Sequence, residues 1–158
     1  MTQAQTPPQA SGIERRLSLR ILAYWRDLRG DNAFPSVDDI TPQDMGDMWP
    51  CCLILKVDGH ANDPLITHCG DSFEKMGIPN VANKLLSAAP SPSLVANGFS
   101  YFGKVLEKRV PITFGGEFIN KDNVRILYRS AILPLSRNNE TIDHLLAAAN
   151  CREDKGTP

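Results

Sequence analysis

Three histidines and four cysteines are the residues of this 158-residue chain best suited to bind a metal ion or a heme iron. His68 precedes Cys69 in a predicted strand, and Cys51 and Cys52 begin the strand before it. Neighbouring strand residues point to opposite faces, so each pair offers at most one ligand to a common site. We therefore expect no metal site and four free thiols, and a heme bound through His68 is the weaker alternative.

Acid–base catalysis would require a carboxylate or histidine base beside a hydrogen-bond donor. Asp143 and His144 are neighbours in a predicted strand and should face opposite ways, which leaves Glu117 with Tyr128 as the best pair. Polar residues on an alternating strand usually form its solvated face. The expected protein is not an enzyme, and a small α+β cone enzyme of the ketosteroid-isomerase type is the alternative.

The composition is that of an ordinary globular domain, with 42% hydrophobic residues, 22% charged residues and a formal net charge of −1. Nucleic acid is not an expected partner, because binding to phosphates requires a basic excess. No apolar run approaches the roughly 20 residues that span a bilayer, and the polar start lacks the features of a secretory signal. We expect a cytoplasmic protein that does not bind membranes.

An apolar stripe at spacings of three and four residues predicts a helix from Ile13 to about Gly30, with Ser11 as its N-cap. The stripe consists of Ile13, Leu17, Ile21, Tyr24 and Leu28. It could pack on the sheet of its own chain or join a second copy in a homodimer, and both possibilities stay open. A second, short helix is expected from Gln43 to Trp49, with Thr41 as its cap.

The chain divides into a disordered tail at 1–12, a helical extension at 13–49, a domain at 50–152 and a second tail at 153–158. Strands are predicted at 51–58, 65–70, 111–120, 124–135 and 141–151, although the Ala and Leu content of the last segment would also suit a helix. A helical turn is expected between Ala82 and Ser87, and a longer helix from about Ser93 to Lys108. We expect an α+β domain whose antiparallel sheet has the strand order 2-1-5-4-3, with helices on one face.

Several short segments of the chain form a recognisable series, namely Leu22-Ala23-Tyr24-Trp25, Phe34-Pro35-Ser36, Asp39-Ile40-Thr41-Pro42, Gly70, Gly77 and Leu133-Pro134-Leu135. These segments are similar to those of a bacterial branch of PAS domains with a helical N-terminal extension, and from Cys51 to Cys151 the element order also resembles that of PAS domains. Members of that branch often carry Arg where this chain has His68.

The resemblance implies a stand-alone sensory or regulatory module of bacterial signalling that binds a small ligand or docks a partner protein. The ligand would lie between the inner face of the sheet and the short helices. The expected pocket residues are Leu53, Leu55, His68, Phe73, Met76, Phe102, Phe114, Phe118 and Tyr128. The alternatives are that these side chains simply fill the core, and that the protein is purely a structural dimerisation module.

Overall fold

The computed structural model describes residues 12–154, and their side chains from Arg16 onward. A long helix, α1 (Gly12–Arg29), comes first, followed by a 3₁₀ turn (Val37–Asp39), the short helix α2 (Pro42–Met45) and a 3₁₀ helix (Gly46–Cys51). The predicted first helix is confirmed from Gly12 onward, whereas its expected cap, Ser11, lies outside the described residues. None of the helices in this part of the chain is both long and apolar enough to cross a membrane.

The centre of the fold is a five-stranded antiparallel sheet in the order β2-β1-β5-β4-β3, which confirms the predicted order. Two 3₁₀ helices (Asp71–Met76 and Leu86–Ala88) and two α-helices, α3 (Leu94–Gly98) and α4 (Phe102–Lys108), lie between the second and third strands. The strands are β1 (Cys52–Lys56), β2 (Leu65–Cys69), β3 (Ile112–Ile119), β4 (Arg125–Leu135) and β5 (His144–Glu153).

Both faces of the sheet are covered, which explains why β1 is buried almost throughout. On the inner face, Leu53 and Leu55 pack in one apolar cluster with Phe73 of the first 3₁₀ helix after β2 and with Phe99, which lies between α3 and α4. On the outer face, Ile54 belongs to a second cluster. There, α1 contributes Leu17, Ile21 and Trp25 to that cluster.

The single helix predicted from Ser93 to Lys108 is divided between α3 and α4. The carbonyl oxygens of Asn97 and Gly98 would bond to backbone amides four residues on in a continuous helix. Instead they accept hydrogen bonds from the hydroxyls of Tyr128 (3.2 Å) and Ser130 (2.8 Å) on β4. The break also places the fully buried ring of Phe99 in the inner core.

The helix predicted from Gln43 to Trp49 is likewise divided, because Gly46 adopts a positive φ of 56° after α2. Thr41 caps α2 as predicted, and its hydroxyl accepts a hydrogen bond from the amide of Asp44 at 3.2 Å. The helical turn expected within residues 82–87 lies slightly later, at Leu86–Ala88. Most of the two predicted tails lies outside the described residues, although Gly12 begins α1 and Glu153 ends β5.

Candidate functional site

A cavity of about 270 Å³ lies at the rim of the inner face. It forms where the end of the 3₁₀ helix at Asp71–Met76, the segment before α3 and the turn between β3 and β4 come together. Its lining residues are Met76, Gly77, Ile78, Pro90, Pro92, Ser93, Leu94, Phe118, Asn120, Lys121, Asp122, Ile126 and Cys151. Together with Cys151 on β5, four separate stretches of chain therefore build one site.

The inner wall of the cavity is apolar, with Ile78, Leu94 and Ile126 all buried. Gly77 has a φ of 83°, a conformation that glycine adopts without strain. This turn lets the amide of Ile78 fold back and donate to the carbonyl of Phe73 at 3.0 Å. The left-handed glycine therefore places one wall of the cavity.

The outer rim of the cavity is polar. Lys121 and Asp122 are exposed in the turn between β3 and β4 and bring one charge of each sign. Asn120 holds that turn, because its side-chain oxygen accepts from the amides of Asp122 and Val124, both at 2.9 Å. The arrangement suits a molecule with an apolar body and a polar end.

Two sulfur atoms meet at this cavity. The thiol of Cys151, which is only partly buried, lies 3.7 Å from the Met76 sulfur. None of the four cysteines, all of which lie within residues 12–154, forms a disulfide bond, and burial raises the pKa of the Cys52 thiol far above its ordinary value. In the described residues no group of three His, Cys, Asp or Glu side chains is arranged to hold a metal ion.

The structure divides the predicted pocket residues into several groups. Met76 and Phe118 line the cavity. Leu53, Leu55 and Phe73 are fully buried and fill the inner core. The residues that pack around this core without lining the cavity are Tyr128, which is buried, and Phe102, which is partly buried.

Phe114 and Tyr128 form part of an aromatic row along the end of the inner face. The rings of Tyr101, Phe114, Tyr128 and Phe118 follow one another at centroid distances between 5.4 and 6.3 Å. Gly116 makes room for this row, because a Cβ at that position would lie 2.6 Å from the Tyr128 hydroxyl. Phe114 is 48% exposed, so within this row it faces solvent and does not lie in a pocket.

His68 lies on the outer face of the sheet, on the other side from the cavity. Ile54 pairs with His68 and Leu55 pairs with Ile66, so Thr67 is an extra residue that forms a β-bulge. Because alternate residues of a strand share a face, His68 should point inward like Ile66. The bulge at Thr67 interrupts this alternation and turns the His68 side chain to the outer face. Its ring stacks on Trp49 at a centroid distance of 3.7 Å. His68 therefore does not reach the inner face, and a heme bound through His68 would not lie in the cavity.

The two pairs considered for acid–base chemistry also differ from expectation. Glu117 is exposed and forms an ion pair with Arg125 (2.6 Å), whereas Tyr128 lies on the inner face, so the two do not meet. Asp143 and His144 were expected to face opposite ways, which is wrong, since Asp143 Oδ1 lies 2.7 Å from His144 Nδ1. Alternation does not apply because Asp143 precedes the first residue of β5.

The apolar stripe of α1 packs on the sheet of its own chain. Leu17 and Ile21 are buried there, and Tyr24 and Leu28 are partly buried. The side chain of Ile13 lies outside the described residues. A homodimer formed through this stripe stays a prediction, and it would have to use the parts of α1 that the sheet leaves uncovered.

Sequence reasoning missed most of the cavity-lining residues. Leu94, Ile126 and Cys151 lie far apart in the chain, and only the closed sheet brings them together. One signal was available, since Pro90 and Pro92 frame an irregular segment directly before Ser93, the residue that caps α3. Such a segment between secondary-structure elements commonly borders a binding site.

Comparison of the sequence with models of known protein families agrees with this fold. A family model described as a PAS domain matches residues 13–149, which include α1 from its second residue onward and the whole region from β1 to the middle of β5. The chain belongs to the PAS domain family, and its fold is that of a sensory or regulatory module in general. No curated protein matches the chain.

Proposed function

We propose that this PAS domain binds a small molecule in the cavity at the rim of the inner face, and that occupancy is its regulatory signal. The observation that carries the proposal is the cavity itself, which has an apolar inner wall, a polar rim and a volume of about 270 Å³. Ligand sites are typically of this mixed character, with volumes of roughly 300 Å³ and above. The size favours a small ligand with an apolar body and one polar end.

A ligand in this position would touch three segments that the backbone does not join directly. Met76 ends one 3₁₀ helix, Leu94 begins α3 and Lys121 lies in the turn after β3. Binding would stabilise the arrangement in which these segments meet, and a partner protein that contacts any of them would sense the change. This coupling supports a regulatory role that ends in a partner protein.

In this proposed function the protein acts in cytoplasmic bacterial signalling and does not catalyse a reaction. The separation of Glu117 from Tyr128 supports the absence of catalysis, because it removes the best acid–base pair that the sequence offered. The bacterial setting rests on the similar segments, of which Trp25 and Pro134 are in direct contact in the fold. The near-neutral charge balance supports a protein partner over nucleic acid.

Native mass spectrometry of the purified protein, beside the same sample denatured, tests the proposal. We expect a mass excess that disappears on denaturation and whose value identifies the ligand. Met76→Trp should lose this excess, because the larger side chain occupies the cavity mouth. Leu19→Trp, at a 60% exposed position on α1, is the matched control and should retain it. If Met76→Trp retained as much of the mass excess as Leu19→Trp, the assignment of the ligand to this cavity would be contradicted.

A further inference from the structure

Among residues 12–154, the outer edge of β3 is an unpaired strand edge. Two backbone hydrogen bonds show which residues face which neighbour. The amide of Asn120, directly after β3, donates to the carbonyl of Val124 on the β4 side, and the carbonyl of Arg125 in β4 accepts from the amide of Asp154 on the β5 side. Directions alternate along antiparallel strands, so even-numbered residues of β3 face β4 and odd-numbered residues direct their N–H and C=O groups outward. The outward residues, all of them exposed, are Thr113, Gly115, Glu117 and Ile119.

The opposite edge of the sheet, β2, is covered by the chain itself. The amide of Ile66 donates to the carbonyl of Lys84 at 2.8 Å, and the amide of Asn83 donates to the carbonyl of Ile66 at 2.6 Å. Within residues 12–154, no comparable backbone hydrogen bond joins the outward groups of β3 to another segment. The described part of the chain therefore protects the β2 edge and leaves the β3 edge open.

Strand β3 also lacks the features by which proteins usually prevent edge pairing. Lysine, proline and bulges commonly block an exposed edge. The eight residues from Ile112 to Ile119 contain neither lysine nor proline, and their pairing with β4 is regular throughout. The one charged side chain, Glu117, is engaged by Arg125. A long, regularly paired strand with an edge of this kind is a template for another strand.

We propose that β3 pairs antiparallel with β3 of a second copy, with Gly116 opposite Gly116, to form a continuous ten-stranded sheet. In this register all four outward residues find partners, because Thr113 faces Ile119 and Gly115 faces Glu117 across the two-fold axis. The exposed ring of Phe114 comes to lie opposite Phe118 of the second copy, and such cross-strand aromatic pairs are stabilising.

Neighbouring registers are less complementary. Moving the two-fold axis to residue 115 places Ile119 opposite Pro111, which has no N–H to donate. Moving it to residue 117 places Glu117 directly opposite Glu117, and like charges in that position repel. The sequence of β3 therefore favours one self-pairing register, which is why the occupant we assign is a second copy of this chain.

Disulfide cross-linking tests the register. In Thr113→Cys/Ile119→Cys, each new thiol would face its partner across a hydrogen-bonded pair, where Cα atoms are about 5.5 Å apart and a disulfide can form. Mild oxidation should give a covalent dimer. Thr113→Cys alone is the control, because its thiol would lie about 20 Å from its symmetry mate at 3.4 Å per residue. Equal cross-linking of the two variants, or none in the double variant, would overturn the proposed register.

Sedimentation velocity over a wide concentration range tests the association itself. The wild-type protein should show a weak, reversible dimer. Thr113→Pro removes an outward N–H from each copy without touching the bonds to β4, and should weaken association by about tenfold or more. Leu19→Lys, remote from the edge, should leave it unchanged. A wild-type protein that stays monomeric at its highest soluble concentration, or a Thr113→Pro variant that associates as well as wild type, would refute the dimer.

Discussion

The indole Nε1 of Trp25 donates a 2.8 Å hydrogen bond to the carbonyl oxygen of Pro134, and thereby fixes α1 on the outer face of the sheet. Pro134 lies beyond the last pair between β4 and β3, which joins Ile132 to Ile112. Its missing N–H therefore costs no ladder bond there, and its carbonyl would lack a strand partner. The helix supplies the donor that the sheet does not.

We predict that Trp25→Phe lowers the free energy of unfolding by about 1–3 kcal/mol, since it leaves the buried Pro134 carbonyl without a donor. Urea denaturation of the two proteins measures the difference. Leu19→Ala, at a 60% exposed position on the same helix, should change the value by less than about 0.5 kcal/mol. If Trp25→Phe were as mild as this control, the hydrogen bond would not anchor the helix.

Gly70 should tolerate no side chain, because a Cβ there would lie 2.1 Å from the backbone oxygen of Pro50. The amide of Gly70 is itself bound to the Cys52 carbonyl at 2.8 Å, so the backbone cannot easily withdraw. We expect Gly70→Ala to destabilise the fold by about 3 kcal/mol or more.

Gly103 provides the matched control for this substitution. It lies in α4, and a Cβ at this position would have no atom within 4 Å. Gly103→Ala should therefore stabilise the protein by roughly 0.5–1 kcal/mol through its better helix propensity. Thermal unfolding of both variants measures the two effects: the midpoint should fall in Gly70→Ala and rise slightly in Gly103→Ala. Similar shifts in the two midpoints would show that the contact between Gly70 and Pro50 is not tight.

His68 should make stability depend on pH. Burial lowers the pKa of its imidazole below the ordinary 6.5, and the Trp49 backbone offsets this only in part. Below pH 6.5 the unfolded chain then binds more protons than the folded one, so stability is complete above that value and declines as pH falls through the folded pKa.

The variant His68→Phe keeps a ring on Trp49 and removes the titrating group. Urea midpoints measured at neutral pH and at about pH 5 should therefore differ less in this variant than in the wild-type protein. The same loss of stability in both proteins would show that His68 is not responsible.

Local pattern was enough to predict the helix α1, the five strands and, together with the resemblance, their order. The 3.6-residue period of Leu17 and Ile21 survives in the fold because both pack on the sheet. Pattern failed where one residue changes the local geometry. The bulge at Thr67 turned His68 to the other face, and hydroxyls from Tyr128 and Ser130 replaced the helical bonds that would have joined α3 to α4.

The candidate site was harder to predict than the fold for a related reason. Met76 and Phe118 are among the residues that the sequence places between the strands and the short helices, and they line the cavity. The rest of the lining, such as Ser93 and Cys151, depends on where four stretches of chain meet, and this depends on contacts distant in sequence. The periodicity of apolar residues along the chain carries no information about contacts between segments that are distant in sequence.

Amide chemical-shift mapping with a library of small molecules that combine an apolar body with one polar end tests the central claim most directly. In ¹⁵N-labelled wild-type protein, we predict binders whose shifts concentrate at Gly77, Leu94, Asn120 and Lys121, the residues that surround the cavity. The same molecules should bind Leu19→Trp and fail to bind Met76→Trp. Binders that shift amides elsewhere, an unchanged response in Met76→Trp, or no binders at all would contradict a ligand site at the rim of this sheet.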